Sequence, residues 1–519
     1  MSALQLATMP FRFVETPLPT GPLGALSPSG KGGVSPDLAS ALLAGPGAEA
    51  NRARLLRQRP LVVTTGQQPG LFTGPLYGVY KALSAAALAA ELEQQWDRPV
   101  VPVFWLAGDD HDYAEARGTA WLNPEGQLIS GALPDRPADA PADPMYRLPL
   151  GPEITQLLAA FERDHPIGGF RQHAMEWLRR HYRPGATVGA AYAGAMRELL
   201  GPFGIVCFDP THPDARHAMA PTLLAALRGA DALEAAIADR SAELAGDGRP
   251  VNMVTGDGST LVLLEAKQGR DRLIRDGNGF RTRRSWERFS LADLEAIAAS
   301  DPQRLSPNVL LRPVAERALL PTVAYLAGPG ELGYLPLAAP VYRQLGIEPQ
   351  LPVARWSACL IERRVDRVLD KFKSTLEELA APGQALERRV VRAQLPPAVP
   401  AAVARLREAF AGDFGLLVDA GGAIDPTIAR SIDAARHRGV AALERAEKKL
   451  ESALRRRESI EMAQIERART AIQPDGKPQE RVLGVATFLA RHGPGFLEEA
   501  ARRIRDWYHQ ALVAAKVPS

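Results

Sequence analysis

Short apolar runs alternate with helical stretches from residue 60 to about residue 355. "PLVVTTG" (60–66) and "RPVVPVFWLAG" (98–108) are apolar on both faces and read as buried strands. Between them, "PLYGVYKALSAAALAAELEQQW" (75–96) predicts an amphipathic helix, with Leu76, Tyr80, Leu83, Ala87 and Leu92 near one face. "GPFGIVCFDPTHP" (201–213) predicts a strand and a loop, and residues 306–335 predict strand, helix, strand and loop. Near-continuous apolar strands separated by helices imply a parallel sheet covered on both faces. The expected fold class is α/β, with a Rossmann-like doubly wound parallel sheet.

Three stretches break this rhythm. Insertions are expected near 134–190, after the loop "PDRPADAPADP", and near 222–300. Within the second, alternating apolar residues and Asp/Gly turns in 251–280 predict small antiparallel hairpins. The third stretch, 356–473, is helical and charged. Leu360, Ile361, Val365, Val368, Leu369, Phe372, Leu376 and Leu379 follow helical spacing, and "AALERAEKKLESALRRRESIEMAQIERARTAI" (441–472) resumes it after a Pro-rich break. The two runs are expected to form an antiparallel coiled-coil arm, with a second subunit burying its seam. Residues 474–519 are expected to return to the core.

Composition narrows the function. The 519 residues carry 62 basic and 59 acidic side chains, a net charge of +3, which argues against a dedicated nucleic-acid binder. Two cysteines, Cys207 and Cys359, exclude a disulfide framework and point to a reducing, cytoplasmic setting. No basic region followed by an apolar run opens the chain, which argues against a signal peptide. No stretch of about 18 apolar residues argues for a membrane span.

Candidate chemistry lies at strand ends, where open α/β sheets bind ligands. "TTGQQPGLFTGP" follows the first strand. Thr65, Gly66, Gln67, Gln68, Gly70, Thr73 and Gly74 could surround a ligand with backbone N–H groups and side-chain amides, and the next helix could offer its N-terminus to an anion. "AGDDHDYAEA" (107–116) crowds Asp109, Asp110 and Asp112 around His111. That suits a general acid–base pair, because a neighbouring carboxylate raises a histidine pKa; the competing reading is a helix N-cap with an acidic first turn. No second histidine stands at ligand spacing, so no metal site is expected. "AGPGELGY" (327–334) contributes Gly330 and Glu331, or is a plain turn. "PDGKPQERV" (474–482) contributes Lys477, Gln479 and Arg481, or is a solvated charge run. Asn308 and Arg312 flank an apolar run, where the arginine could hold a carboxylate or phosphate, or pair within the core.

Four of these blocks carry a family resemblance. "TGQQPGLFTGPLYGVYKA", "VPVFWLAGDDHDYAE", "SPNVLLRPVAERALLPTVAYLAGPGELGY" and "GKPQERVLGVATFLARHG" resemble, in order, the signature blocks of the BshC family of cysteine-adding enzymes. The resemblance implies a core related to class I nucleotidyltransferases, connecting-peptide insertions, and a coiled-coil domain that makes a homodimer. It implies a ligase of bacillithiol biosynthesis that joins L-cysteine to the amine of glucosaminyl-malate. The activating cofactor is unassigned, with ATP or another nucleotide able to fill the role. His111 with Asp110 or Asp112 would move the proton. The loop from Thr65 to Gly74 would hold substrate or nucleotide, and Lys477 and Arg481 would neutralise phosphate or malate carboxylates. The family usually has Glu where Asp109 stands and commonly Ala where Pro69 stands. Two other classes stay open on the residues alone. One is another transferase or hydrolase of small anionic substrates on the same core. The other is a non-catalytic dimeric scaffold.

Overall fold

The computed structural model describes residues 10–16, 18, 23–28, 33–251 and 256–515. Most of the N-terminal stretch, and residues 252–255 of the hairpin region, lie outside them. The chain divides into two compact units. The larger comprises Phe13–Pro124, Leu128–Cys359 and Pro478–Ser519; the smaller is built mainly from Leu360–Lys477.

The strands of the two large sheets of the larger unit are β1 (Leu42–Leu43), β2 (Leu61–Gln67), β3 (Val100–Leu106), β4 (Val206–Phe208), β5 (Ser259–Ala266), β6 (Gly269–Asp276), β7 (Gly279–Thr282), β8 (Arg288–Phe289), β9 (Leu305–Pro307), β10 (Thr322–Ala327) and β11 (Leu351–Ala354). The main sheet has the order β11-β10-β2-β3-β4-β1. Every pair in it is parallel except β1 with β4. Its central strands are buried from Leu61 to Gly66 and from Val100 to Leu106, as near-continuous apolar runs require when helices cover both faces.

Helix α1 (Tyr77–Trp96) links β2 to β3. It is not the one-faced helix expected: Gly78 to Ala85 are buried without interruption, including Lys81 and Ser84. Residues 306–335 also differ in detail. Leu305–Pro307 pairs with β5 outside the main sheet, Arg312 opens helix α3 (Arg312–Leu319), and Pro329–Tyr334 is a short helix rather than a loop.

A second sheet, antiparallel, has the order β8-β7-β6-β5-β9. Its β5–β6–β7 meander contains the expected hairpins. Helix α2 (Pro213–Arg228) packs Leu223, Ala226 and Leu227 into the same apolar cluster as Val262, Leu264 and Leu273 of this sheet.

The smaller unit is helical. Its long hairpin consists of α4 (Ala398–Ile424) and α5 (Pro426–Arg457), joined at Asp425. The expected pairing of 441–472 with 360–379 holds only for its last part. After a break at Glu458, α6 (Ser459–Ile472) packs against Arg363–Phe372 and Leu376–Ala380, whereas α5 packs against α4. The reason is chain economy: one intervening residue turns α5 straight back along α4.

Candidate functional site

Parallel order brings three sequence clusters to one edge. Gln67 at the end of β2 lies opposite Leu106 at the end of β3, and β10 runs parallel on the other side of β2. The segments after these strands therefore emerge together. They contribute Gly66, Gln67, Gln68, Asp109, Asp110, His111 and Glu331 to a cavity of about 290 Å3, and the segment after β9 adds Asn308 and Arg312, all anticipated from sequence. Trp105, Leu263, Arg270, Arg272, Tyr325 and Tyr334, which were not anticipated, complete much of the wall.

Gly66 must be glycine. A Cβ there would meet the Trp105 Cβ at 2.8 Å and the Trp105 carbonyl oxygen at 2.9 Å. The Gly66 carbonyl accepts from the buried Lys81 Nζ at 2.6 Å. Lys81 also donates to both Glu331 oxygens, at 2.9 and 2.8 Å. Burial lowers the Lys81 pKa, and Glu331 opposes that shift. Burial pushes Glu331 up, but Lys81, the Gly328 N–H and the Tyr325 hydroxyl hold its carboxyl below the usual range. Glu331 is thus an anion that anchors the wall. Gln67 Nε2 donates to the Tyr77 hydroxyl at 2.8 Å, and Gln68 donates to Glu115.

Asp109 is buried between two guanidiniums. Arg216 Nη2 lies 3.1 Å from its Oδ2, and Arg270 Nη2 lies 3.5 Å away. Burial alone would raise the Asp109 pKa; Arg216 and Arg270 outweigh it and hold the carboxyl below its usual value. Arg270 also donates to Ser306 Oγ and to the Pro307 carbonyl, each at 2.8 Å. Its Nη1 lies 3.2 Å from His111 Nδ1. A guanidinium only donates, so Nδ1 accepts and a neutral ring carries its proton on Nε2.

This overturns one expectation. His111 was expected to have a raised pKa, but burial and then Arg270 lower it, against the weaker pull of Asp110 and Asp112. Asp112 takes the competing role considered above: its Oδ1 caps Tyr113–Ala116 by accepting the Glu115 N–H at 3.1 Å. It lines an adjoining groove with Asp110 and His111 rather than the cavity itself. Asp110 Oδ1 accepts the Asp112 N–H at 2.9 Å.

Other anticipated residues have structural work. Thr65 is buried and donates to the Leu326 carbonyl at 2.8 Å. Beyond Gln68 the loop turns away: Leu71, Phe72 and Thr73 are buried, with Phe72, Thr73 and Gly74 at φ of 52°, 73° and 70°. There the Thr73 N–H donates to the Tyr182 hydroxyl, which donates to the Gly70 carbonyl. The N-terminus of α1 does not line the cavity, and the Leu76 N–H is bonded to the Leu483 carbonyl. Gly330 is exposed and outside the lining. Arg312 pairs with Glu316 at 2.9 Å and stacks over Tyr325. Gln479 is buried, Arg481 and Lys477 are exposed, and none lines the cavity. The polar density of 474–482 instead reflects Glu480, which accepts from Arg355 and Ser357 inside the larger unit.

The missed residues left faint signals. Arg270 and Arg272 stand two apart in "KQGRDRLIRDG", the spacing that puts both on one face of a strand. Lys81 interrupts an apolar helix, where a charge needs a partner. Among the described residues, no group of three or more His, Cys, Asp and Glu side chains could hold a metal ion. No helix among them is long and apolar enough to cross a membrane.

Residues 41–355 match the family described as "Bacillithiol biosynthesis BshC, N-terminal Rossmann-like domain". Residues 358–510 match "Bacillithiol biosynthesis BshC, C-terminal coiled-coil domain". A relative from Salinibacter ruber, named "Putative cysteine ligase BshC", is 31% identical over 462 residues, 86% of this chain and 81% of its own. The protein of the same name from Solibacter usitatus is 30% identical over 458 residues, 85% of this chain and 82% of its own. Both halves of the fold and the length of these alignments agree: the chain belongs to the BshC family of bacillithiol biosynthesis.

Proposed function

We propose that this chain is a carbon–nitrogen ligase that joins the carboxylate of L-cysteine to the amine of glucosaminyl-malate in the last step of bacillithiol biosynthesis. The observation that carries the reading is one small cavity holding a neutral imidazole, an adjacent carboxylate and an arginine wall. The relatives' name, cysteine ligase, agrees with it.

The chemistry has two requirements. The amine arrives as an ammonium and must lose a proton before it attacks. Asp110 is suited to accept that proton, because one oxygen holds the Asp112 N–H and the other has no hydrogen-bond partner among the described residues. The carboxylate must lose an oxygen, and an activating nucleotide such as ATP would supply the leaving group. His111 with its proton on Nε2 is a donor, able to stabilise the oxyanion that forms at the attacked carbon. Arg270 keeps it in that tautomer. These donors also suit phosphate oxygens.

Exposed apolar side chains on the helical hairpin, Leu416 at 70% and Leu417 at 52%, support a homodimer through that unit. The two-cysteine composition supports a cytoplasmic setting.

The test is direct. Purified protein, L-cysteine, glucosaminyl-malate and ATP are incubated, and the amide product is sought by mass spectrometry. Wild type is expected to form it. His111→Ala is expected to lose it with its unfolding temperature nearly unchanged. No product from wild type with ATP or another nucleoside triphosphate would overturn the reading, as would full specific activity in His111→Ala.

A further inference from the structure

Around the cavity, the cations can be matched with their carboxylates. Lys81 has Glu331, Arg312 has Glu316, and Arg270 shares Asp109 with Arg216. Arg272 has no such partner. Among the described residues its guanidinium makes no ion pair and no hydrogen bond, although the side chain is half-buried and lines the cavity. Burial lowers its pKa, and the Arg283 cation adds to that shift. A half-buried guanidinium without an acceptor is costly unless something else supplies one.

Asn308 stands in the same lining. Its Oδ1 accepts the N–H groups of Leu310 and Leu311, both at 3.0 Å. That fixes the amide and leaves Nδ2 as a donor with no acceptor among the described residues. Two uncommitted donors therefore share one wall.

The position of Arg272 limits what can reach it. Arg270 and Arg272 project from the same face of β6, roughly 7 Å apart along the strand. Arg270 touches His111, and Asp110 lies beside it. A ligand joining Asp110 to Arg272 thus carries a cation and an anion separated by several bonds. Cysteine bears its ammonium and carboxylate on one carbon, closer together than the roughly 7 Å between those two strand positions. An amino sugar with an acid on its glycosidic side places a sugar ring between its two charges.

We infer that Arg272, assisted by Asn308, binds a carboxylate of the amine-bearing substrate, and so determines specificity for an acidic aglycone. This rests on the ligase reading above for the identity of that substrate. It further orients the substrate, with the amine toward Asp110 and His111 and the acid toward β6.

The experiment is calorimetric titration of the full-length protein with glucosaminyl-malate and with methyl glucosaminide, which lacks the acid. Arg272→Gln is expected to weaken glucosaminyl-malate binding about ten- to a hundredfold, the range for a lost charge-assisted hydrogen bond. Methyl glucosaminide is expected to bind wild type and variant alike. Arg272→Lys keeps the charge and is expected to recover part of the affinity. In turnover, KM for glucosaminyl-malate should rise while KM for cysteine stays the same. Should wild type form no product yet bind glucosaminyl-malate through Arg272, the ligase reading falls and the acid-binding site stands. Equal affinity of wild type and folded Arg272→Gln for glucosaminyl-malate would overturn the inference, as would equal loss for the uncharged glycoside.

Discussion

Asp109→Asn tests whether the site depends on a buried charge. Asp109 is 7% exposed as a residue, and the Arg216 side chain beside it is fully buried. Asparagine keeps the shape and removes the charge, so Arg216 and Arg270 would lose their shared counterion. Removing one partner of a buried pair costs about 3–5 kcal/mol. The Asn carbonyl still accepts a hydrogen bond, so the lower end, about 3 kcal/mol, is expected. Urea unfolding of both proteins measures it. Asp109→Glu retains the charge and is expected to lose less. Asp109→Asn combined with Arg216→Met should cost less than the sum of the two single changes, because the orphaned cation is gone.

The pH dependence follows from the sign of the shift. The Asp109 pKa is held below its ordinary value of 3.8 in the folded protein. Its stabilisation is therefore fully present above that value and is lost as pH falls from there through the folded pKa. The gap between wild type and Asp109→Asn should stay constant from neutral pH down to about 5, given the ordinary titration range of aspartate. A loss below about 0.5 kcal/mol, the size of an ordinary surface substitution, would refute the argument. It would mean that water already solvates the two guanidiniums.

Two further outcomes are expected. Protonating His111 would put a second proton on Nδ1, facing the Arg270 guanidinium, and break the contact that orients the ring. Burial and Arg270 lower its pKa from the ordinary 6.5, so kcat/KM should lose that contribution only below pH 6.5, and a wild-type inflection above 6.5 would contradict the reading, while Arg270→Met should raise the His111 pKa read by NMR titration. Leu416→Asp with Leu417→Asp should shift the protein from dimer to monomer in light scattering, with the main sheet still folded; a wild type already monomeric at micromolar concentration, or a double variant still dimeric, would exclude the hairpin as the interface.

The sheet edge was legible because its cause is local. An apolar strand declares itself, and the polar residues just after it must emerge at its carboxyl end. Gln67, Asp110, His111 and Glu331 could be grouped on that rule. The cations could not. Arg216 reaches Asp109 from α2, more than a hundred residues along the chain, and Arg270 reaches His111 from the second sheet. Their roles arise when that sheet closes over the first, and nothing in their immediate neighbours encodes it. The segment 474–482 failed for a related reason. Charge density shows that polar groups are present, but not which one turns inward, and here it is Glu480 toward Arg355.

The helical unit teaches the opposite lesson about local signals. Residues 398–424 contain Pro400 and four glycines, Gly412, Gly415, Gly421 and Gly422, which lower helix propensity. They nevertheless form one helix of 27 residues. Two contacts across the hairpin explain why glycine is kept. A Cβ on Gly421 would lie 2.8 Å from the Ile432 side chain, and one on Gly439 would lie 2.6 Å from the Phe410 ring. These glycines let the two helices approach, so the packing they permit offsets the propensity they lose. Surface ion pairs such as Arg407–Glu447 contribute little by comparison. Leu416, Leu417 and Ile424, on the same helix as Gly421, remain exposed. The hairpin packs its two helices together and still presents apolar surface, which is what a second copy of the chain would need in order to bind there.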